Sequence, residues 1–160
     1  MALVRKLFAL FRGDYSEAGD RYYRQGKLAK AAAMYARAGR YPEAARLAAD
    51  SGAEDQAVAY YLEADLPREA GELLAAAGRH KDAIPLFEKA GAHWLAAESS
   101  LALRQSARAG HYFEKAARFD RAAECYEKAG ELEQALRLWQ RESERLQGAG
   151  PATGSDVTRR

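Results

Sequence analysis

The stretch GKLAKAAAMYARAGRYPEAARLAADSGAEDQAVAYYLEA, from Gly26 to Ala64, consists of three consecutive units of thirteen residues. Each unit starts with glycine and has alanine at its sixth position. The same frame extends in both directions to give ten units, from Gly13 to Glu142, and seven of them start with glycine. The sixth position is alanine in all ten: Ala18, Ala31, Ala44, Ala57, Ala70, Ala83, Ala96, Ala109, Ala122 and Ala135. Self-similarity at a fixed period is typical of proteins that stack short structural units.

The positions of the small and apolar residues predict that each unit is one short helix. Positions 6, 7, 10 and 13 favour such residues, and these spacings place them on one face of a helix. Glycine at the start of a unit suits the left-handed backbone conformation that ends the preceding helix. A helix of about ten residues is marginal alone, so each must bury its face against neighbours. The sequence therefore predicts an all-α array of stacked helices.

A second period is visible at positions 9 and 10 of the units. Alternate units carry bulky pairs such as Tyr60 and Tyr61, whereas the intervening units carry smaller or mixed pairs such as Ser99 and Ser100. This alternation predicts a 26-residue helical hairpin as the larger unit. We therefore expect a right-handed α-solenoid of about five short helical hairpins over residues 13–142.

Two features of the units resemble known helical-repeat families. The spacing Ala–x3–aromatic–x2–Ala, as in Ala31/Tyr35/Ala38, resembles the second helix of a tetratricopeptide repeat, although that repeat is about 34 residues long. The segment YEKAGELEQALRLW, from Tyr126 to Trp139, is similar to the short-helix solenoids of vesicle-coat and intraflagellar-transport proteins. The resemblance covers residues 13–142 and implies a protein–protein scaffold that binds another protein or peptide.

Charge is spread unevenly although the formal net charge is only +2. Residues 1–46 contain ten Lys or Arg and four Asp or Glu, whereas residues 47–98 contain four and ten. A basic start and an acidic middle favour an oppositely charged partner, contacts between copies, or simply a solvated surface. The single cysteine, Cys125, excludes an intramolecular disulfide and fits a reducing compartment, so we expect a cytoplasmic protein.

The first twelve residues, MALVRKLFALFR, predict a basic amphipathic N-terminal helix. Three interpretations stay open: a cap on the end of the solenoid, an anchor on a membrane surface, or a helix that docks on a partner. The docking interpretations depend on Val4, Arg5, Lys6, Phe8 and Phe11. At the other end, we expect residues 143–160 to hold the end of the last helix and a disordered tail.

The unit that starts at Gly91 departs most from the pattern. Ser99 and Ser100 at positions 9 and 10 cannot fill an aromatic-sized space, whereas Trp94 and Leu95 occupy positions that other units leave mostly polar, and Leu101 occupies one that is usually small or polar. Either this helix is rotated so that the three apolar residues face the core, or they form an exposed patch that binds a partner.

Other departures affect the backbone. The glycine at the unit start is replaced at Asp65, Arg104 and Ala117, so we expect a different turn or more mobility in residues 99–118. Pro85 lies inside a predicted helix and should kink or shift it.

No catalytic, cofactor-binding or metal-binding motif is recognisable in the sequence. His80 and His93 share a position in successive units, but no third ligand is placed with them. Most tyrosines occupy predicted core positions, which argues against stacking on nucleic acid. We therefore expect a non-catalytic scaffold or adaptor without a cofactor. Two alternatives are a peripheral membrane adaptor anchored by its N-terminal helix and self-association through the solenoid ends.

Overall fold

The structure is a computed structural model that describes the backbone of residues 2–148 and the side chains of residues 13–145. Ten α-helices make up this part of the chain. No strand occurs in that range. The helices are α1 (Ala2–Arg24), α2 (Leu28–Arg37), α3 (Tyr41–Asp50), α4 (Glu54–Glu63), α5 (Pro67–Ala76), α6 (His80–Lys89), α7 (His93–Ala102), α8 (Ser106–Lys115), α9 (Phe119–Ala129) and α10 (Leu132–Gly148). Each helix packs against the next one along the chain. The predicted all-α solenoid is confirmed.

The two terminal helices are longer than the repeat requires. The helices α2 to α8 have ten residues each, as the thirteen-residue unit predicts. By contrast, α1 has 23 residues and runs through Gly13 without a turn, so the first unit is continuous with the segment before it. The last helix, α10, has 17 residues and continues past Trp139 to Gly148. Pro85 lies within α6 but does not end it.

The turns between the helices use a left-handed residue, as the glycine positions predict. At the end of α2, Gly39 has φ 79°, and its N–H donates to the carbonyl of Ala36 at 2.9 Å. The N–H of Arg40 donates to the carbonyl of Tyr35 at 2.9 Å, which completes a Schellman motif. Because these hydrogen bonds satisfy the last carbonyls of the helix, no more than three residues separate consecutive helices.

Three turns keep the same geometry without glycine. Asp65, Arg104 and Ala117 have φ of 55°, 56° and 55°. At Arg104 the two turn hydrogen bonds are also retained, from Arg104 to Leu101 at 2.8 Å and from Gln105 to Ser100 at 2.9 Å. The expected change of turn in residues 99–118 is therefore wrong, because the flanking helices impose the left-handed conformation on residues that disfavour it.

We expect Ala117→Gly to stabilise the protein. A left-handed alanine costs about 1–2 kcal/mol, whereas the extra freedom of glycine in the unfolded chain costs about 0.4–1 kcal/mol. The net gain of about 0.5–1 kcal/mol should raise Tm by about 1–4 °C, measured by circular dichroism. The control is Ala59→Gly on the exposed side of α4, which should lower stability by about 1 kcal/mol. A loss of stability in both variants would contradict the strain at Ala117.

Alanine at the sixth position of each unit lies where neighbouring helices meet. Eight of these alanines, from Ala31 to Ala122, have no exposed surface, and Ala135 is 4% exposed. Ala18 in the first unit is half-buried. A methyl group at this position fills the contact without separating the helices, so any larger side chain would overpack it.

The seventh position of one helix faces the tenth position of the next. A Cβ atom added to Gly71 would lie 2.7 Å from the ring of Phe87, sixteen residues later. Gly19 and Gly110 have the same relation to Tyr35 and Tyr126, at 2.7 and 3.0 Å. These three glycines therefore make room for an aromatic ring from the following helix.

The same sixteen-residue offset explains Ser100, one of the two unusual serines of α7. It pairs Ser100 with Ile84, and both residues are fully buried. A large residue at the seventh position of α6 thus faces a small residue at the tenth position of α7, the reverse of the glycine–aromatic pairs. The hydroxyl of Ser100 donates to the carbonyl of Ala96 at 2.8 Å, so its burial leaves no unmet hydrogen bond.

Side chains also join helices that are two apart in the sequence. Arg79 bonds Asp55 at 2.6 Å, the Tyr112 hydroxyl donates to Glu88 at 2.7 Å, and Arg137 bonds Glu114 at 3.0 Å. The partners are 23 or 24 residues apart, close to the 26-residue period. Exposed ion pairs add little to stability, so these interactions mainly fix the register of the stack.

Candidate functional site

The face that α7 turns to the core is the same as in neighbouring helices. Its buried residues are Ala96, Ala97, Ser99 and Ser100, at positions 6, 7, 9 and 10 of the unit. The interpretation that α7 is rotated is therefore wrong. The helix α7 keeps the common core face because Ile84, at the seventh position of α6, is large where its partner Ser100 is small.

The three residues predicted to bind a partner on α7 have different surroundings. Trp94 is 49% exposed. Leu95 and Leu101 are half-buried and pack against the main hydrophobic core. Of the three, only Trp94 therefore offers a large apolar surface to a partner. Its role in binding stays a prediction.

The predicted docking residues at the N-terminus lie outside the part of the chain whose side chains are described. These residues are Val4, Arg5, Lys6, Phe8 and Phe11. Their backbone belongs to α1, so the predicted helix is present, while its role as a cap, membrane anchor or docking helix stays a prediction. Over the described residues, no helix is both long enough and apolar enough to cross a membrane. The predicted tail from residue 149 onward also lies outside the described residues.

An apolar stripe on α10 was missed by the sequence analysis. Leu132 and Leu136 are each 59% exposed, and Trp139 is 41% exposed. Their spacing of four and three residues places them on one face of the helix. Together with Ala135 and with Glu127 from α9, they line an open groove of about 210 Å³, which we call the α10 groove.

The position of α10 at the end of the array explains this exposure. Trp139 occupies the tenth position of its unit, where Phe87 and Phe113 are buried in interior units, yet here only its neighbour Leu138 is buried, at 1%. Leu136 occupies the seventh position, which the next helix covers in interior units. The signal was available in the sequence, because the repeat ends after this unit and no eleventh helix follows within the described residues.

Acidic side chains lie at and beside the α10 groove. Glu127 lines it, and Glu133 and Glu144 lie on one flank of the apolar stripe by their helical spacing. None of the three has an ion-pair partner among the described side chains. The nearby Arg137 is already paired with Glu114 at 3.0 Å. The groove thus combines apolar surface with nearby carboxylates that have no ion-pair partner in the described part of the chain.

A second groove, of about 290 Å³, lies over α1 to α3 and includes the exposed Tyr23. Several of its polar groups are already engaged: the Tyr35 hydroxyl donates to Asp20 at 2.5 Å, and the Arg40 guanidinium lies 4.4 Å from the centre of the Tyr35 ring. Arg40 also pairs with Glu43 at 3.1 Å. Among the described side chains, Tyr23 is the one exposed large apolar residue that lines it, so this groove is a weaker candidate than the α10 groove, which has three.

The described residues offer no group of His, Cys, Asp and Glu that is placed to hold a metal ion. His80 and His93 are the first residues of α6 and α7, and each has a buried Nδ1 atom without a hydrogen-bond partner. Cys125 is a buried free thiol, and burial raises its pKa. A thiol with a raised pKa is a poor nucleophile, so Cys125 has the properties of a core residue.

No family model matches this chain. A search of curated proteins gives no significant match. The helical-repeat architecture therefore stands on the periodicity of the sequence and the packing of neighbouring helices.

Proposed function

We propose that this chain is a non-catalytic scaffold or adaptor that binds another protein or peptide along its helical array. The resemblance of its units to tetratricopeptide repeats supports this function, because such arrays present an extended surface to a partner. We also propose a cytoplasmic location, which the free thiol of Cys125 supports.

The observation that carries the proposal is the exposure of Trp94. It lies at the fourth position of its unit, where α5, α6 and α9 carry Arg68, Lys81 and Asp120. A tryptophan that is 49% exposed at a position where other units carry charged residues costs solubility and adds little to the core. Tryptophan is enriched among the residues that dominate binding energy at interfaces. Trp94 would thus anchor a partner, while surrounding charges set its register.

The test is Trp94→Ala in a quantitative pull-down, followed by titration of the captured partner. Because Trp94 is half-exposed, we expect stability to change little and the partner's Kd to rise by more than about tenfold. Leu62→Ala is the matched control, since Leu62 is also exposed, at 38%, and lies on α4. Unchanged binding by Trp94→Ala, with both variants folded by circular dichroism, would show that Trp94 is not the anchor.

A further inference from the structure

The α10 groove lies where the array ends. Interior helices have a packed neighbour on each side, whereas α9 is the only helix that packs closely against α10 among the described residues. In α2, α3, α5 to α9 the residue at the seventh position is buried, because the next helix covers it. In α10 this residue is Leu136, which is 59% exposed. The groove is therefore an unpaired copy of the interface that holds the solenoid together.

The occupant of the α10 groove must be apolar on one side and positively charged. The groove offers Leu132, Leu136 and Trp139, and its margin carries acidic groups without partners. A basic amphipathic helix has both required properties. Desolvating the leucines and the tryptophan would supply affinity, and the charges would favour one orientation.

The N-terminal segment of the chain, Met1–Arg12, has this composition. It contains three cationic side chains and no acidic one. Its large apolar residues are Leu3, Val4, Leu7, Phe8, Leu10 and Phe11. The backbone of the segment from Ala2 onward is helical and belongs to α1. Its charge and its apolar content are thus complementary to those of the groove.

The segment that occupies the groove has to come from another molecule. The helix α1 packs against α2, and α10 packs against α9, so the two lie at opposite ends of the array. The chain's own C-terminal residues 149–160 are a poor alternative, because Val157 is their only large apolar residue.

We propose that the α10 groove of one copy binds Met1–Arg12 of a second copy, head to tail. Because the two surfaces differ, each copy keeps one free groove and one free segment, and such contacts produce rings or open chains. This inference rests on the proposed scaffold function and names a second copy as one of its partners. The two proposals can be rejected independently. The scaffold function is tested by binding of another protein at Trp94, whereas the head-to-tail contact is tested by variants at the solenoid ends.

The experiment measures the mass of the full-length protein by light scattering and sedimentation between about 1 and 100 μM, a range that detects micromolar contacts. We expect wild type to form species larger than a dimer, and we expect 0.5 M rather than 0.05 M salt to weaken them. Leu136→Glu disables the groove and Phe8→Glu disables the segment, so each variant alone should be monomeric. Leu62→Glu, at an exposed leucine away from both ends, should assemble as wild type does.

The deciding step is to mix the two variants. Leu136→Glu keeps a working segment, and Phe8→Glu keeps a working groove, so an equimolar mixture should form a dimer and nothing larger. Circular dichroism establishes that both variants are folded, and Leu132→Ser repeats the test if Leu136→Glu is not.

Four results would overturn the proposal. Wild type could be monomeric throughout the range, or the mixture of variants could stay monomeric. Self-association of Phe8→Glu but not of Leu136→Glu would show instead that two α10 grooves pair with each other. Binding of anionic vesicles by monomeric wild type, lost in Phe8→Glu, would assign the N-terminal segment to a membrane surface.

Discussion

Replacing Gly71 by alanine should destabilise the protein, although alanine favours helices. Gly71 lies inside α5, and a Cβ atom there would lie 2.7 Å from the ring of Phe87. That ring is 1% exposed and cannot move into solvent. Overpacking of this kind costs about 1–3 kcal/mol, which outweighs a gain of about 1 kcal/mol in helix propensity.

The chain provides a matched control at Gly13. This glycine also lies inside a helix, but nothing lies within 4 Å of an added Cβ atom. Gly13→Ala should therefore stabilise the protein by about 0.5–1 kcal/mol, so that the two identical substitutions have opposite signs. Urea unfolding followed by circular dichroism measures both. A stabilising Gly71→Ala would contradict the tight contact with Phe87.

A double variant tests whether Phe87 is the cause. Phe87→Leu alone should lose stability, because the smaller side chain leaves part of its space empty. In Gly71→Ala/Phe87→Leu the added methyl group enters that space, so the loss should be smaller than the sum of the two single losses by about 0.5 kcal/mol or more. Additive losses would place the strain somewhere other than this pair.

The largest effect of pH on stability should come from Tyr126 at alkaline pH. Its ring is 5% exposed, and its hydroxyl donates to Glu114 at 3.0 Å. Burial and the neighbouring carboxylate raise the pKa of Tyr126 to about 12 from an ordinary value of 10.0. The folded protein thus holds this proton more tightly than the unfolded chain does.

The sign of the effect follows from this difference. A group whose pKa is raised on folding contributes stability that is fully present below its unfolded pKa and is lost as pH rises through its folded pKa. We therefore expect the free energy of unfolding to fall between pH 10 and about 12, with about 2–3 kcal/mol of the loss due to Tyr126. The pKa values of Tyr35, Tyr61 and Tyr112 are also raised, so their ionisation adds to the loss.

Tyr126→Phe should remove the part of this pH dependence that belongs to Tyr126. Urea midpoints measured at pH 9 and about 11.5 should differ less in this variant than in wild type. Tyr23→Phe, which alters an exposed ring, should keep the wild-type difference. An equal pH dependence in Tyr126→Phe and wild type would show that the buried hydroxyl does not control alkaline unfolding.

The sequence predicts the fold well because a single short pattern is repeated ten times. Local preference, apolar spacing and turn glycines all indicate the same helix boundaries, so errors in one unit are corrected by the others. The residues that depart from the pattern depend on contacts with other units, which the pattern of a single unit does not include. The small size of Ser100 is explained only by the large size of Ile84, which lies sixteen residues earlier in another helix. Arg104 keeps its left-handed turn because the helices on both sides require it.

The candidate site was less predictable, because the exposure of the apolar stripe on α10 depends on whether another helix packs against it. Within its own unit, Trp139 resembles the buried aromatic residues of the interior. It is exposed because no helix follows α10 within the described residues, and only the end of the repeat in the sequence indicates this. Trp94 could be found from sequence as a departure from the repeat, but the half-burial of Leu95 and Leu101 required the packing of neighbouring helices.

The restriction of helix packing to neighbours along the chain affects how the protein is made. Every major contact closes a loop of one or two units, and short loops close quickly and at small entropic cost. Folding can then begin in any group of adjacent helices and spread from there. During synthesis, α1 to α4 can pack while later helices are still being added, since they need no residue from the C-terminal half.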